Sequence, residues 1–268
     1  MKVFTVFFIA HLLGDFYLQP QCLALKKSRS LGWALIHSLI YAAVMMLSVL
    51  LLGAGAIIPA AAVSGAHLVI DCLKTLIIKP QSRASTERVI FCADQALHMA
   101  VLIAASVWAS VRFPTSTPAY LRALGSITDM EPYRLLGYAA LVLAVMKPGN
   151  IFIRFMLLEG RPADDDGDEE LERRIRTGRA IGSLERLLVC ALLALGQYGS
   201  IALVFTAKSI ARFKQLEDRG FAEYYLTGTL LSVVTACMVY VLLRCFGTLL
   251  SAVTAVGAFV LLSLVGTL

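Results

Sequence analysis

Charged residues are scarce in this sequence: they make up only 16% of its 268 residues, whereas hydrophobic residues make up 59%. A soluble domain of this length carries about 25% charged residues, so that class is excluded. The hydrophobic residues form repeated runs of about 20, which is the length that a helix needs to cross a bilayer. We therefore predict an all-α fold, a polytopic transmembrane helical bundle of about seven to eight membrane helices.

Three other absences narrow the class of protein. No Cys-x-x-Cys motif occurs, and the six cysteines lie in or at the ends of apolar runs, which favours small core residues over thiol ligands. No nucleic-acid motif accompanies the net charge of +6, and basic loops are typical of membrane proteins, so we expect no nucleic acid as a partner. No small-residue cleavage site follows residues 1–20, which we interpret as part of a membrane helix and not as a signal peptide.

The apolar runs divide the chain into three predicted regions. Residues 1–111 are expected to form a four-helix membrane core, in which the first helix covers about residues 3–25. Residues 112–132 form a linker that is too polar to span a bilayer. Residues 133–268 are expected to form a second membrane helical region.

Local signals subdivide this second region. A charged linker is predicted at residues 159–182 and an amphipathic connector at residues 207–220. Pro148 lacks a backbone donor and predicts a break in the helix that surrounds it. The next helix is expected over residues 183–206, and the last two helices are expected to meet at a tight turn at Arg244.

The distribution of Lys and Arg orients the molecule. Bases concentrate after the first, third and fifth predicted helices, so the positive-inside rule places these loops, including residues 159–182, in the cytoplasm. The connector at 207–220 disagrees, because its bases would then face outward. Either the connector lies along the interface, or the helix expected over residues 183–206 does not fully cross the membrane. In the first case it lies in the headgroup layer and Lys208, Arg212 and Lys214 are predicted to bind anionic lipid, an ordinary loop being the alternative.

Ionisable residues interrupt three of the first four apolar runs in a recurring pattern. A histidine and an aspartate four residues apart lie on one face of a helix, a turn from each other. A carboxylate at the middle of a membrane helix costs roughly 2.5–3.5 kcal/mol on insertion scales, and such residues are functional by default. The pattern occurs three times, as His11/Asp15, His67/Asp71 and Asp94/His98.

Depth in the bilayer favours a shared site. A helix rises about 1.5 Å per residue, so the depth of each residue can be counted from the cytoplasmic end of its predicted helix. The depth is about 9 Å for Asp94 and His37 and about 10 Å for Asp71. It is about 15 Å for Asp15 and about 15–16 Å for His67 and His98. His11 lies about 21 Å deep on the same count. Antiparallel neighbours would therefore bring all of these residues except His11 together without bending a helix.

Imidazole with carboxylate is the ligand set of catalytic zinc and of other first-row divalent metals, so we predict a divalent metal cofactor, zinc before the others. The expected ligands are Asp15, His67, Asp71, Asp94 and His98, with Asp15 and Asp94 also catalytic. The groups expected to orient these ligands or to bind substrate are Gln19, Gln95, His37, His11 and Lys74. The alternatives are packing hydrogen bonds between helices for the imidazoles, and snorkelling or neutralisation of Asp71 for Lys74.

The motifs are specific when they are taken together. They read His11-Leu-Leu-Gly-Asp15-Phe with Gln19, His67-Leu-Val-Ile-Asp71-Cys-Leu-Lys74, and Asp94-Gln95-Ala-Leu-His98. Over roughly residues 1–110 this pattern resembles a bacterial and prophage membrane family catalogued as a domain of unknown function, which implies a location in the bacterial inner membrane. The second half resembles the longer members of that family.

A looser similarity is to membrane-bound metal-dependent hydrolases, which also place His and Asp pairs on short-looped helices. This similarity implies hydrolysis of an ester or amide in a lipid-like or membrane-proximal substrate. The His-Arg and Thr-His clusters typical of such enzymes are missing from this sequence. The alternatives are a proton- or cation-coupled transporter and a non-catalytic membrane assembly subunit, and a homo-oligomer is compatible with all three.

Overall fold

The computed structural model describes residues 2–27, 30–77, 84–113, 115–157 and 168–265. Within these ranges every regular element is helical and no strand occurs, so the all-α prediction is confirmed. The described parts of residues 1–140 and 243–268 form one compact unit, and residues 141–242 form a second. Residues 159–167 of the charged linker predicted at 159–182 lie outside the described residues, and the rest of it is helical.

The first unit contains the elements of the predicted membrane core. Its helices are α1 (Lys2–Leu12), α2 (Gln21–Lys27), α3 (Leu31–Met46), α4 (Ser48–Leu52), α5 (Ile57–Ile77), α6 (Ala84–Arg112) and α7 (Ala119–Thr128). A π-helical turn, Leu13–Tyr17, follows α1, and a 3-10 turn, Ala54–Ala56, precedes α5.

Helix α1 lies in the interior of this unit. It packs against α3, α4 and α6, while α5 packs between α3 and α6. Nine of the 11 residues of α1 are buried, because the helix is apolar on all sides. This placement carries His11 into the interior together with its apolar neighbours.

The prediction of one continuous first helix is wrong. Helix α1 ends at Leu12, the π-helical turn follows, and residues 18–20 belong to no regular helix before α2 begins. The physical reason is Pro20, which has no N–H to donate and disfavours helical geometry at the residue before it.

The predicted linker at 112–132 contains α7 and caps the end of α4. The carbonyl groups at the end of a helix have no intrahelical partner. The N–H of Ser116 donates to the carbonyl oxygen of Leu52 at 3.0 Å, and the Tyr133 hydroxyl donates to that of Leu51 at 2.9 Å. The Tyr120 hydroxyl donates to the carbonyl oxygen of residue 50. These contacts tie the polar linker to the membrane core.

The second region contains five further helices. They are α8 (Pro132–Val145), α9 (Lys147–Met156), α10 (Asp168–Ala194), α11 (Tyr198–Ala211) and α12 (Arg219–Val265), with a 3-10 turn, Phe213–Glu217, after α11. The predicted break near Pro148 is confirmed, and it lies at Met146, whose ψ of −98° is not helical. Pro148 then sits in the first turn of α9, where its missing N–H leaves no bond unmade.

A buried arginine forms hydrogen bonds across this break. The Arg186 side chain is among the largest fully buried side chains, and its Nε donates to the carbonyl oxygen of Val145, at the end of α8, at 2.6 Å. Its terminal nitrogens donate to Asn150 Oδ1 at 2.6 Å and to Ser232 Oγ at 3.2 Å. Gly149 leaves the room for this guanidinium, since a Cβ there would lie 3.1 Å from Arg186 Nε.

Two helix boundaries differ from the prediction. The turn at Arg244 is wrong: α12 continues through it to Val265, because the sequence there has a single glycine and no proline to interrupt the backbone bonds. The helix predicted over 183–206 is split, since α10 ends at Ala194 and α11 begins at Tyr198. Gly196 ends α10 with a φ of +71°, a conformation that glycine adopts without steric cost.

Five described helical segments are long and apolar enough to cross a membrane. They are Leu31–Leu52, Ala54–Ile77, Ser85–Arg112, Pro132–Met156 and Arg219–Arg244. The predicted count of seven to eight is not confirmed. The first predicted span and the span at 183–206 are each divided into shorter pieces, and the last two predicted helices are one helix, α12. The protein has the apolar helices of a membrane protein.

Candidate functional site

Seven ionisable residues from five elements of the first unit converge in one buried cluster. Helix α1 contributes His11, the π-helical turn Asp15, α3 His37, α5 His67 and Asp71, and α6 Asp94 and His98. Every one of these residues except Asp15 is buried, and the Asp15 side chain is only 7% exposed. We refer to these seven residues as the His/Asp cluster.

The four imidazole rings are packed around His67. The centroid of the His67 ring lies 4.5 Å from that of His98, 5.3 Å from that of His37 and 6.4 Å from that of His11. The His11 and His98 rings stack at 5.4 Å. His11 therefore belongs to the cluster, although its predicted depth of about 21 Å placed it away from the other residues. That count assumed an unbroken helix to residue 25, whereas α1 ends at Leu12.

Two carboxylates share two of these imidazoles. Asp15 Oδ1 lies 3.2 Å from His37 Nε2 and 3.7 Å from His67 Nε2. Asp71 Oδ2 lies 3.6 Å from His37 Nε2 and 3.6 Å from His67 Nδ1. Each of these histidines therefore lies within ion-pair distance of two carboxylates from different elements.

Lys27 also reaches the cluster, although its place in the sequence is that of a loop base after the first predicted helix. The Lys27 Nζ lies 2.9 Å from Asp71 Oδ2 and 3.6 Å from Asp15 Oδ1, and the residue is buried at the end of α2. Burial alone would lower the pKa of the Lys27 ammonium, but the nearby Asp15 and Asp71 carboxylates outweigh it and raise the pKa above its ordinary value. No local signal separates Lys27 from its neighbour Lys26.

Lys74 neutralises a different carboxylate from the one expected. Its Nζ donates to Asp94 Oδ2 at 2.7 Å, across from α5 to α6. With neutral imidazoles, the three carboxylates of the cluster and the two ammonium groups of Lys27 and Lys74 leave a net charge of −1. The cluster therefore retains negative charge that a bound cation or proton would balance.

The two glutamines predicted to assist the cluster differ in placement. Gln95 Nε2 donates to Asp15 Oδ2 at 3.3 Å and to Asp94 Oδ2 at 3.2 Å, so it links the first segment to α6. Gln19 lies half-buried between the π-helical turn and α2. Among the described residues no hydrogen bond connects Gln19 to the cluster.

Tyr41 is a second residue whose part in the cluster the sequence analysis missed. Its ring stacks on His67 with the centroids 3.6 Å apart, and its hydroxyl lies 3.2 Å from His11 Nδ1. A Cβ at Gly14 would lie 2.9 Å from the Tyr41 ring, so this position needs glycine. The only available signal was the spacing of Tyr41, four residues after His37, which places both on one face of α3.

Three overlapping groups within the cluster could hold a metal ion, since each residue offers one ligand atom and these atoms lie within 4.8 Å of one another. The groups are His11, Asp15 and His67; His37, His67 and Asp71; and Asp71, Asp94 and His98. Nitrogen and carboxylate ligands of this kind are those of zinc and of other divalent first-row metals.

In the third group, the tautomer of the histidine and the partners of both carboxylates are defined. The Nδ1 of His98 lies 2.8 Å from the Asp94 carbonyl oxygen, which can only accept, so Nδ1 carries the hydrogen and Nε2 presents its lone pair. This Nε2 is buried and has no hydrogen-bond partner among the described residues, and neither do Asp71 Oδ1 and Asp94 Oδ1. The lysines engage the other oxygen of each carboxylate. Three ligand atoms are thus left for an ion.

The residues predicted to bind lipid belong to the second unit. Lys208 lies near the end of α11, and its Nζ donates to Glu185 Oε2 at 2.7 Å. Arg212 follows α11 directly and is half-buried, while Lys214 lies exposed in the 3-10 turn.

The fold and the cluster together define a helical protein with membrane-length helices and a buried His/Asp centre. Residues 3–122 match the model of a family described as "Protein of unknown function (DUF3307)". The predicted resemblance to a domain of unknown function is therefore confirmed, and the matched segment contains the whole His/Asp cluster. No curated protein and no solved structure matches the chain.

Proposed function

We propose that this protein is an integral membrane, metal-dependent hydrolase that acts on a lipid-like or membrane-proximal substrate. The observation that carries the proposal is the set of buried, unpartnered ligand atoms on Asp71, Asp94 and His98. An unpaired polar group in an apolar interior is costly. Unpartnered atoms on three residues whose ligand atoms lie within 4.8 Å of one another therefore favour a bound ligand. Zinc is the first candidate, because it binds nitrogen and carboxylate oxygen.

A divalent ion held there would supply Lewis acidity and activate a water molecule for attack on an ester or amide. The protein groups have separate tasks. Asp15 is the only member of the cluster that is not fully buried, and its contacts with His37 and Gln95 orient it to accept a proton as a general base. Lys74 fixes Asp94 so that its other oxygen remains available.

Metal content tests this proposal. The full chain is purified in detergent without added metal, and its metals are quantified by elemental analysis. We expect about one equivalent of a transition metal in the wild type and a loss of about tenfold or more in Asp94→Asn, since that change removes the charge that offsets the cation. Asp129→Asn, the same change at an exposed helix end, is the matched control and should leave the metal content unchanged.

Less than a tenth of an equivalent in the wild type would exclude a metal-dependent function. Equal metal in Asp94→Asn and wild type would exclude the group on α6 as the binding site. His98→Ala supplies an independent second variant at the same group.

A specific observation favours one alternative, a proton- or cation-coupled transporter. Discontinuous helices line transport sites in many membrane transporters, and the π-helical turn that carries Asp15 ends at Tyr17, where the chain is interrupted before α2. The residual charge of the cluster would then carry the transported ion. Proton flux in proteoliposomes that is lost in Asp15→Asn, with no bound metal, would favour this function over the hydrolase. Absence of both activities would leave a non-catalytic assembly subunit.

We further propose that the chain lies in the bacterial inner membrane with residues 159–182 in the cytoplasm. The concentration of Lys and Arg in this linker and after the first and third predicted helices supports this orientation. A cysteine introduced at Thr177 that reacts with an impermeant reagent from the periplasm, without permeabilisation, would contradict it.

A further inference from the structure

A second polar group lies in the unit formed by residues 141–242, around the ring of Tyr225 on α12. Lys208 Nζ lies 5.0 Å and Arg212 Cζ 5.8 Å from the centroid of this ring. We refer to Lys208, Arg212 and Tyr225 as the α11 donor cluster. It shares no residue with the His/Asp cluster, and its role is independent of the proposed hydrolase activity.

The hydrogen-bond capacity left in this cluster is almost entirely that of donors. The Lys208 ammonium has three N–H groups, of which Glu185 and Thr229 accept two, at 2.7 and 3.1 Å. The Arg212 guanidinium has five, and none meets a hydrogen-bond acceptor among the described residues. A ligand for this cluster must therefore be an acceptor.

The Tyr225 hydroxyl adds a further donor to the cluster. It is buried, and although Ser209 and Thr229 lie near it, no partner has hydrogen-bond geometry among the residues that the structure describes. A buried hydroxyl without a partner is costly, which makes it a second observation, independent of charge, that points to a ligand.

The charge of the cluster points to an anion. Glu185 offsets Lys208, but no carboxylate within ion-pair distance offsets Arg212 among the described residues. Glu217, the nearest acid in sequence, is exposed in the 3-10 turn. Of the next two acids, Asp218 Oδ1 accepts from the N–H of Phe221, and Glu223 pairs with Arg219 at 3.0 Å. One positive charge is left over, next to free N–H and O–H donors.

Apolar side chains border these donors. Ile210 and Phe213 flank Arg212 in sequence, and they are 69% and 70% exposed. Exposed apolar groups beside cationic groups are typical of helices at the boundary between headgroups and acyl chains. We propose that Lys208, Arg212 and Tyr225 bind the phosphate group of an anionic membrane lipid, whose acyl chains lie against Ile210 and Phe213.

Native mass spectrometry of the full chain in detergent tests this site, with phosphatidylglycerol or phosphatidylcholine as the added lipid. We expect the wild type to prefer phosphatidylglycerol. Arg212→Gln should weaken that binding about tenfold, because hydrogen bonds to a charged group are worth about 1.5–3 kcal/mol. Tyr225→Phe removes a single neutral donor and should weaken it about fivefold.

Arg219→Gln is the matched control, since it makes the same change of charge at a side chain that is 93% exposed and paired with Glu223. We expect its binding of phosphatidylglycerol to stay within about twofold of the wild type. If Arg219→Gln weakened the binding of phosphatidylglycerol as much as Arg212→Gln, the effect would be one of general surface charge. That result would overturn the proposed site. Displacement of the lipid by inorganic phosphate alone would overturn the lipid as the source of the phosphate group. Tyr225→Phe keeps the apolar ring, so it tests the site even if Arg212→Gln unfolds the protein.

Discussion

Lys27 bridges two carboxylates that belong to different elements, and its single positive charge lies close to both of them. Removing it leaves Asp15 and Asp71 buried and uncompensated. Breaking a buried ion pair in this way costs about 3–5 kcal/mol, most of it from the charge that remains. The ion pair thus stabilises the fold and also holds two candidate metal ligands in place.

We predict that Lys27→Met lowers the free energy of unfolding by about 3 kcal/mol. Lys26→Met is the matched control, because Lys26 is exposed and its Nζ lies over the Trp33 ring at 4.5 Å. Denaturant unfolding of both variants in the same detergent gives the comparison. Equal stability of the two variants would contradict a buried bridge.

At the same scale, the sequence identifies residues whose chemistry conflicts with their surroundings. Asp71 and Asp94 stand out because a carboxylate in an apolar run is costly, and the structure brings both to one cluster. Lys27 and Tyr41 do not stand out, since a lysine at a helix end and a tyrosine in a membrane helix are ordinary. Only the packing of α2 and α3 shows that these two side chains reach the cluster. The roles of the cluster as metal ligands stay a prediction.

At the scale of elements, helix breaks are harder to predict than helices. Hydropathy locates the apolar runs, but the hydropathy of Gly196 does not indicate whether the helix ends or continues at that residue. The structure shows two bonds that end α10 there: the N–H of Gln197 donates to the carbonyl oxygen of Leu192 at 2.8 Å, and that of Gly196 to Leu193 at 3.2 Å. This is the Schellman pattern of a glycine-terminated helix.

The boundary between α10 and α11 therefore depends on one backbone angle. We predict that Gly196→Ala lowers the free energy of unfolding by about 1–2 kcal/mol, because a Cβ is strained at a φ of +71°. Gly199→Ala is the matched control: its added Cβ meets nothing within 4 Å, and its φ is not in the left-handed region. We expect that control to be neutral or slightly stabilising. A stabilising effect of Gly196→Ala would show that the helix continues through residue 196.

At the scale of the whole molecule, a bound metal would couple the stability of the first unit to metal concentration. A ligand that binds only the folded state stabilises it, by about 2.7 kcal/mol at a free concentration of 100 times its dissociation constant. We predict that a chelator lowers the unfolding temperature of the wild type and that zinc restores it. In Asp94→Asn neither addition should shift the unfolding temperature. An identical response in both proteins would place the metal effect outside the His/Asp cluster.

The central position of α1 has a consequence for biogenesis. Helix α1 is almost wholly covered by α3, α4 and α6, all of which are translated after it. At 11 residues it is shorter than the roughly 20 that a helix needs to span a bilayer alone, and a buried imidazole lies near its end. On leaving the ribosome, this segment has no partner to satisfy His11 and Asp15. The stable burial of α1 must therefore wait until α6 has been inserted, which makes it a late step of membrane assembly.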